Sequence, residues 1–127
     1  MVYVGFTKNV VDRKLKRLSD DRKELKYYTK GEALIFISDI IDSPMELIFL
    51  FKNDTCYYQE CIVYCSPCAD KFTADILKDK NYKFRHIDGA SYVSFVNPKI
   101  VMRIGTNKKD TTSCNVIKIN MNSKPAF

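Results

Sequence analysis

The segment from Cys61 to Asp88 constrains the fold most tightly. It opens with a short apolar run, Cys61 to Cys65, followed by a Ser66-Pro67 helix start. Ala69, Phe72, Ile76 and Leu77 then form an apolar helical face that ends near Asp79-Lys80-Asn81. An alternating run from Tyr82 to Ile87 closes at the turn Asp88-Gly89. Strand, Pro-started helix and strand make a βαβ-type unit, and a right-handed crossover sets its two strands parallel. The spacing therefore predicts an α/β fold. A chain of 127 residues fits one domain.

The flanks are read around this unit. Val11, Leu15, Leu18, Leu25 and Tyr28 follow one helical stripe behind an N-cap at Asn9, which predicts a helix over 10–28 stopped by Gly31. Residues 33–41 read as a buried strand or a buried helix. Ser43-Pro44-Met45-Glu46 has the form of a capping box with Pro at the first helical position, predicting a helix from Pro44 through Phe51. The competing reading is a hairpin, with LIFLF as a strand and KNDT as its turn. Residues 90–96 stay open between helix and strand. Lys99 to Ile104 and Asn115 to Met121 alternate around a polar turn at Gly105 to Asp110, and predict a C-terminal hairpin. The organisation expected is a basic N-terminal helix or extension (1–30), an α/β domain (31–121) and a loose tail (122–127).

Charge is uneven along this plan. Residues 1–33 hold nine Lys/Arg against five Asp/Glu, residues 34–76 two against seven, and residues 77–127 ten against three. Basic ends on a chain of net charge +6 suit a phosphate-rich partner or simply a solvated surface. Apolar runs stop short, as at Ala33 to Ile37, and charge follows Met1 to Gly5 at once. Neither a membrane span nor a secretory leader is expected, and the expected location is a reducing cytoplasm.

Four of the five cysteines cluster as C-x4-C-x3-C-x2-C: Cys56, Cys61, Cys65 and Cys68, with His86 the one histidine. Zinc sites usually present paired C-x2-C knuckles, and only one such pair occurs, so buried thiols are the favoured reading and neither a metal nor a cofactor is expected. Cys61 and Cys65 are expected to end a buried strand together. Cys65-Ser66-Pro67-Cys68 also stands where a helix end lowers a thiol pKa. With the strands that follow, up to Pro98 and Ile104, it resembles the C-x-x-C unit of thioredoxins and glutaredoxins. That resemblance implies a thiol oxidoreductase with Cys65 as nucleophile and Cys68 as resolving thiol. Val2-Tyr3-Val4-Gly5-Phe6-Thr7-Lys8 with Arg13 faintly resembles the second half of a GIY-YIG nuclease motif. No Gly-rich phosphate loop, catalytic triad or acid/base pair is legible.

The order of elements from Cys61 to Ser113-Cys114-Asn115-Val116-Ile117-Lys118 resembles the kink-turn RNA-binding ribosomal-protein superfamily, especially its small-subunit eukaryotic branch. Lys30-Gly31-Glu32, Ser43 to Glu46 and Cys61 to Tyr64 resemble landmarks of the same superfamily in a second register. The resemblance implies a single-domain α-β-α sandwich with a mixed sheet and a C-terminal β-hairpin. It implies a non-catalytic ribonucleoprotein component that binds structured RNA, ribosomal above all, beside neighbouring ribosomal proteins. Because the family's Gly-x-Asn-Glu loop is absent, RNA contact falls to basic side chains on the first helix and last hairpin: Lys14, Arg17, Arg22, Lys23, Lys99, Arg103, Lys108 and Lys109. A viral or parasite protein-interaction module is the remaining class.

Overall fold

The computed structural model describes the backbone of residues 1–109 and 112–126, with side chains throughout except at 107–109 and 112–113. Among these residues lie two helices, α1 (Lys8–Asp20) and α2 (Ser66–Leu77). Eight strands accompany them: β1 (Leu25–Lys30), β2 (Ala33–Ser38), β3 (Met45–Lys52), β4 (Thr55–Val63), β5 (Phe84–Asp88), β6 (Ser91–Ser94), β7 (Ile100–Lys109) and β8 (Thr112–Met121). The strands form one sheet in the order β1-β2-β3-β4-β8-β7-β6-β5. Every neighbouring pair is antiparallel. The α-β-α sandwich with a mixed sheet is therefore not formed; the protein is mostly β.

The correction has a topological cause. β4, α2 and β5 do follow one another, and alternation along the sheet makes β4 and β5 point the same way. Three strands stand between them, however, so α2 crosses from the fourth position to the far edge and no parallel pair results. The expected helix over 44–51 is strand β3, where Met45, Leu47 and Phe49 are buried and Ile48 and Leu50 face the other side. Asn53 and Asp54 both adopt positive φ between β3 and β4, a tight hairpin turn that Asn and Asp tolerate. This pairing outweighs the local Ser43-Pro44 start signal. The helix over 10–28 is also too long. Its buried stripe is Val11 and Leu15, Leu18 is 39% exposed, and Leu25 to Tyr28 belong to β1. The N-cap is Thr7 rather than Asn9. The C-terminal hairpin is present as β7 and β8.

Both helices lie on one face of the sheet. Val11 and Leu15 of α1 and Ala69 and Ile76 of α2 join a single core with Leu34, Phe36, Leu47, Phe49, Cys61, Val63, Met102, Ile117 and Ile119. The cross-strand register places those strand residues on a common face, Phe36 opposite Leu47, Leu47 opposite Cys61, Cys61 opposite Ile117. Burying each large aliphatic side chain there contributes about 1.5–3 kcal/mol. The N-terminal segment is drawn into the same layer, with Val2 and Val4 buried. Buried Gln59 accepts from Tyr3 N at 2.9 Å and donates to the Met1 carbonyl at 2.7 Å. The Tyr82 hydroxyl donates to the carbonyls of Val4 at 2.8 Å and Val2 at 3.1 Å. Residues 1–30 thus supply α1, β1 and part of the core. At the other end Asn122 N donates to Lys99 O and Ala126 N to Pro98 O.

α1 is tied to β1 by the Tyr27 hydroxyl, which donates to the Asp12 carboxylate. That bond, reinforced by Lys16, holds the Asp12 carboxyl below its ordinary value. A carboxyl depressed by folding stabilises above its unfolded pKa, and the contribution is lost as pH falls through the folded value. Tyr27→Phe is expected to cost about 1 kcal/mol at neutral pH, the pair being half-buried and partly screened by solvent. Chemical denaturation of both proteins across the acid range checks this: the difference should start to shrink below about pH 4, where Asp12 protonates in the unfolded chain, and vanish only below its depressed folded value.

Candidate thiol–disulfide site at the start of the second helix

β4 ends at Val63, two residues before Cys65, so Cys65 does not finish a buried strand beside Cys61. It is instead the N-cap of α2, in extended backbone conformation, and its Sγ accepts a hydrogen bond from Cys68 N at 3.2 Å. Ser66, expected as the cap, is the first helical residue, and Pro67 occupies the first turn where its missing N–H costs nothing. Cys65 and Cys68 form a disulfide with Cα atoms 5.1 Å apart. Both are half-buried, while Ser66 and Pro67 between them are exposed. No acidic residue lies in the first turn of α2, so the positive end of the helix dipole acts on the Cys65 sulfur unopposed.

The loop enters this helix at a fixed angle. Tyr64 N donates to Pro44 O at 3.0 Å, and the Tyr64 hydroxyl donates to Glu46 at 2.7 Å. The hydrogen bond to Glu46, followed by desolvation, pushes the Tyr64 phenol up to about 12. It stays a neutral donor at physiological pH, half-exposed beside Cys65.

Of the three cysteines outside the disulfide, Cys114 is half-exposed and the other two are buried. Cys56 and Cys61 are fully buried in β4, and burial pushes both thiols up to about 12. Thiols in that state are inert towards alkylation and exchange at neutral pH. Among the described residues no group of three or more His, Cys, Asp or Glu is placed to hold a metal ion. His86 closes the β5–β6 turn, its Nε2 at 2.7 Å from Gly89 O, and stacks edge-on against Tyr92.

A cleft of about 310 Å³ opens along α2 from the disulfide. Cys68, Lys71, Phe72, Asp75 and Ile76 form its helical wall, and Met1, Asp42, Ser43 and Met45 the opposite side. Of the helical wall, Phe72 and Ile76 belong to the apolar face expected from the sequence; Cys68, Lys71 and Asp75 join them because positions 68, 71, 72, 75 and 76 share one face of a helix. The opposite side comes from distant segments that only the sheet brings near, and no sequence signal points to it.

The expected RNA-contact residues fall into two groups. Lys14 and Arg17 on α1, with Arg22 and Lys23 just after it, are exposed on one end of the molecule. Lys99 and Arg103 are exposed at β7. Five strand steps separate β1 from β7, about 24 Å at the usual strand spacing. Lys108 and Lys109 belong to β7 by backbone, but their side chains lie outside the described residues. Arg103 lies directly opposite exposed Lys118 of β8, a pairing that only the strand register makes.

No family model matches this chain, and no curated protein or solved structure is detectably similar to it.

Proposed function

We propose that the protein exchanges thiols and disulfides through Cys65 and Cys68. The observation that carries this reading is the Cys68 N–H directed at the Cys65 sulfur on a half-exposed helix start. In the reduced form the same N–H and the helix end stabilise negative charge on Cys65, the species that attacks. The Cys65 thiolate attacks one sulfur of a substrate disulfide, a mixed disulfide forms, and the first substrate thiolate leaves. Cys68, having lost its proton to solvent, then attacks the Cys65 sulfur. The internal disulfide closes and the second substrate thiolate departs, so two electrons pass from the protein to the substrate. In a reducing compartment the pair works as a reductant; in an oxidising one the steps run backwards. The topology differs from that of thioredoxins, so this reading stands on the site alone.

The test is reduction of dithiodipyridine by the pre-reduced protein. Release of thiopyridone at a rate well above that of free cysteine supports the proposal. A rate equal to free cysteine removes it.

A second reading, binding to structured RNA, is favoured by one specific feature: Arg13, Lys14, Arg17, Lys23 and Lys26 are all exposed around α1 and β1. Nearby ion pairs engage Lys16 with Asp12 and Arg22 with Glu24. If this end contacts phosphates, affinity for a structured RNA falls by about a decade or more between 50 and 200 mM salt. Salt-independent or absent binding removes that reading.

A further inference from the structure

We infer that the cleft along α2 receives the polypeptide whose cysteine exchanges with Cys65, and that it selects an apolar side chain accompanied by a basic one. This inference rests on the exchange reading and adds the substrate class to it. Cys68 is part of the cleft wall, so the Cys65 sulfur lies one bond beyond that wall. A chain joined to Cys65 by a mixed disulfide has its neighbouring residues delivered to the cleft mouth.

The lining defines what those residues are. Met1, Met45, Phe72 and Ile76 make an apolar floor, Met45 and Ile76 being buried and Phe72 partly so. Methionines flanking an aromatic ring adapt to side chains of different shape. The charged rim holds Asp42 and Asp75 against Lys71, all three exposed. The two carboxylates offer partners to a cation on the incoming chain. The volume suits one large side chain and adjoining backbone rather than a folded surface. The substrate class is therefore a cysteine in an exposed or unfolded polypeptide stretch, with aliphatic or aromatic and Lys/Arg neighbours.

The experiment uses the full chain, pre-reduced, and three thiopyridyl disulfides followed by thiopyridone release. One is a cysteine peptide flanked by Leu and Arg, one the same peptide flanked by Gly and Glu, and one is dithiodipyridine, too small to use the cleft. The Leu/Arg peptide is expected to react about ten-fold or more faster than the Gly/Glu peptide, the equivalent of partly burying one apolar side chain. Phe72→Ala is expected to erase most of that ratio. Asp75→Asn, an exposed substitution that spares the core, is expected to lower the Leu/Arg rate by a few-fold. Equal rates for the two peptides, with normal dithiodipyridine reduction, overturn the cleft assignment and leave the exchange reading standing. Failure with all three disulfides overturns both.

Discussion

Replacing Cys65 by serine is expected to abolish disulfide reduction, with a loss of at least about a hundred-fold in rate, because the hydroxyl is not nucleophilic at neutral pH. Cys68→Ser has a different expected outcome. Cys65 still attacks, but no neighbouring thiol displaces it, so the variant accumulates a stable mixed disulfide with its substrate. Intact mass after incubation with a thiopyridyl peptide separates the two, each variant carrying Cys114→Ser because that thiol is half-exposed: no adduct for Cys65→Ser, one full adduct for Cys68→Ser. The asymmetry follows from the cap geometry. Only Cys65 receives the helix N–H, while Cys68 sits inside the first turn. Equal adduct formation by both variants would show that the cap confers no distinction.

The largest structural effect is expected at Gln59. This fully buried side chain holds the N-terminal segment with its amide oxygen on Tyr3 N and its amide nitrogen on the Met1 carbonyl. Gln59→Leu keeps the volume but removes both partners. An unsatisfied buried backbone group costs about 1–3 kcal/mol; with Tyr3 half-buried and Met1 exposed, a loss on the order of 2 kcal/mol is expected, with a fall in melting temperature on the order of 8 °C. Gln59→Glu keeps one acceptor but places a charge in the core, which costs at least as much unless the group takes up a proton. Thermal unfolding at neutral pH checks both variants. A melting point within 2 °C of the parent protein for Gln59→Leu would mean that the segment is held by Val2 and Val4 alone.

How far the sequence foretells this molecule can be judged element by element. Its two Ser-Pro starts look alike, yet only one begins a helix. After Pro67 the buried or half-buried residues Ala69, Phe72, Thr73 and Ile76 keep helical spacing. After Pro44 the buried residues Met45, Leu47 and Phe49 alternate, so the period should have outranked the cap. Leu25 and Tyr28 fit the α1 stripe by spacing alone; Asp20-Asp21 and the antiparallel register with β2 assign them to β1. The insertion of β8 between β4 and β7 is non-local and leaves no trace in spacing, which is why a parallel crossover looked adequate. At the site, the C-x-x-C and its helix were legible. The cysteine rather than the serine acting as cap was not, because serine is the commoner cap residue. Cys61 lies in the core as its apolar run implies, whereas Cys65 is half-buried, a difference made by β4 ending two residues earlier.

The central claim is that Cys65 and Cys68 form a reversible pair while Cys56 and Cys61 take no part. The most direct measurement equilibrates the native protein in dithiothreitol buffers from reducing to oxidising, quenches with a rapid alkylating agent and maps each cysteine by mass spectrometry. Cys65 and Cys68 are expected to gain and lose label together across one two-electron transition, with Cys56 and Cys61 unlabelled until the protein is unfolded. Cys65 and Cys68 that stay labelled at the most oxidising ratio, or that label no faster than Cys56 and Cys61, would contradict the account.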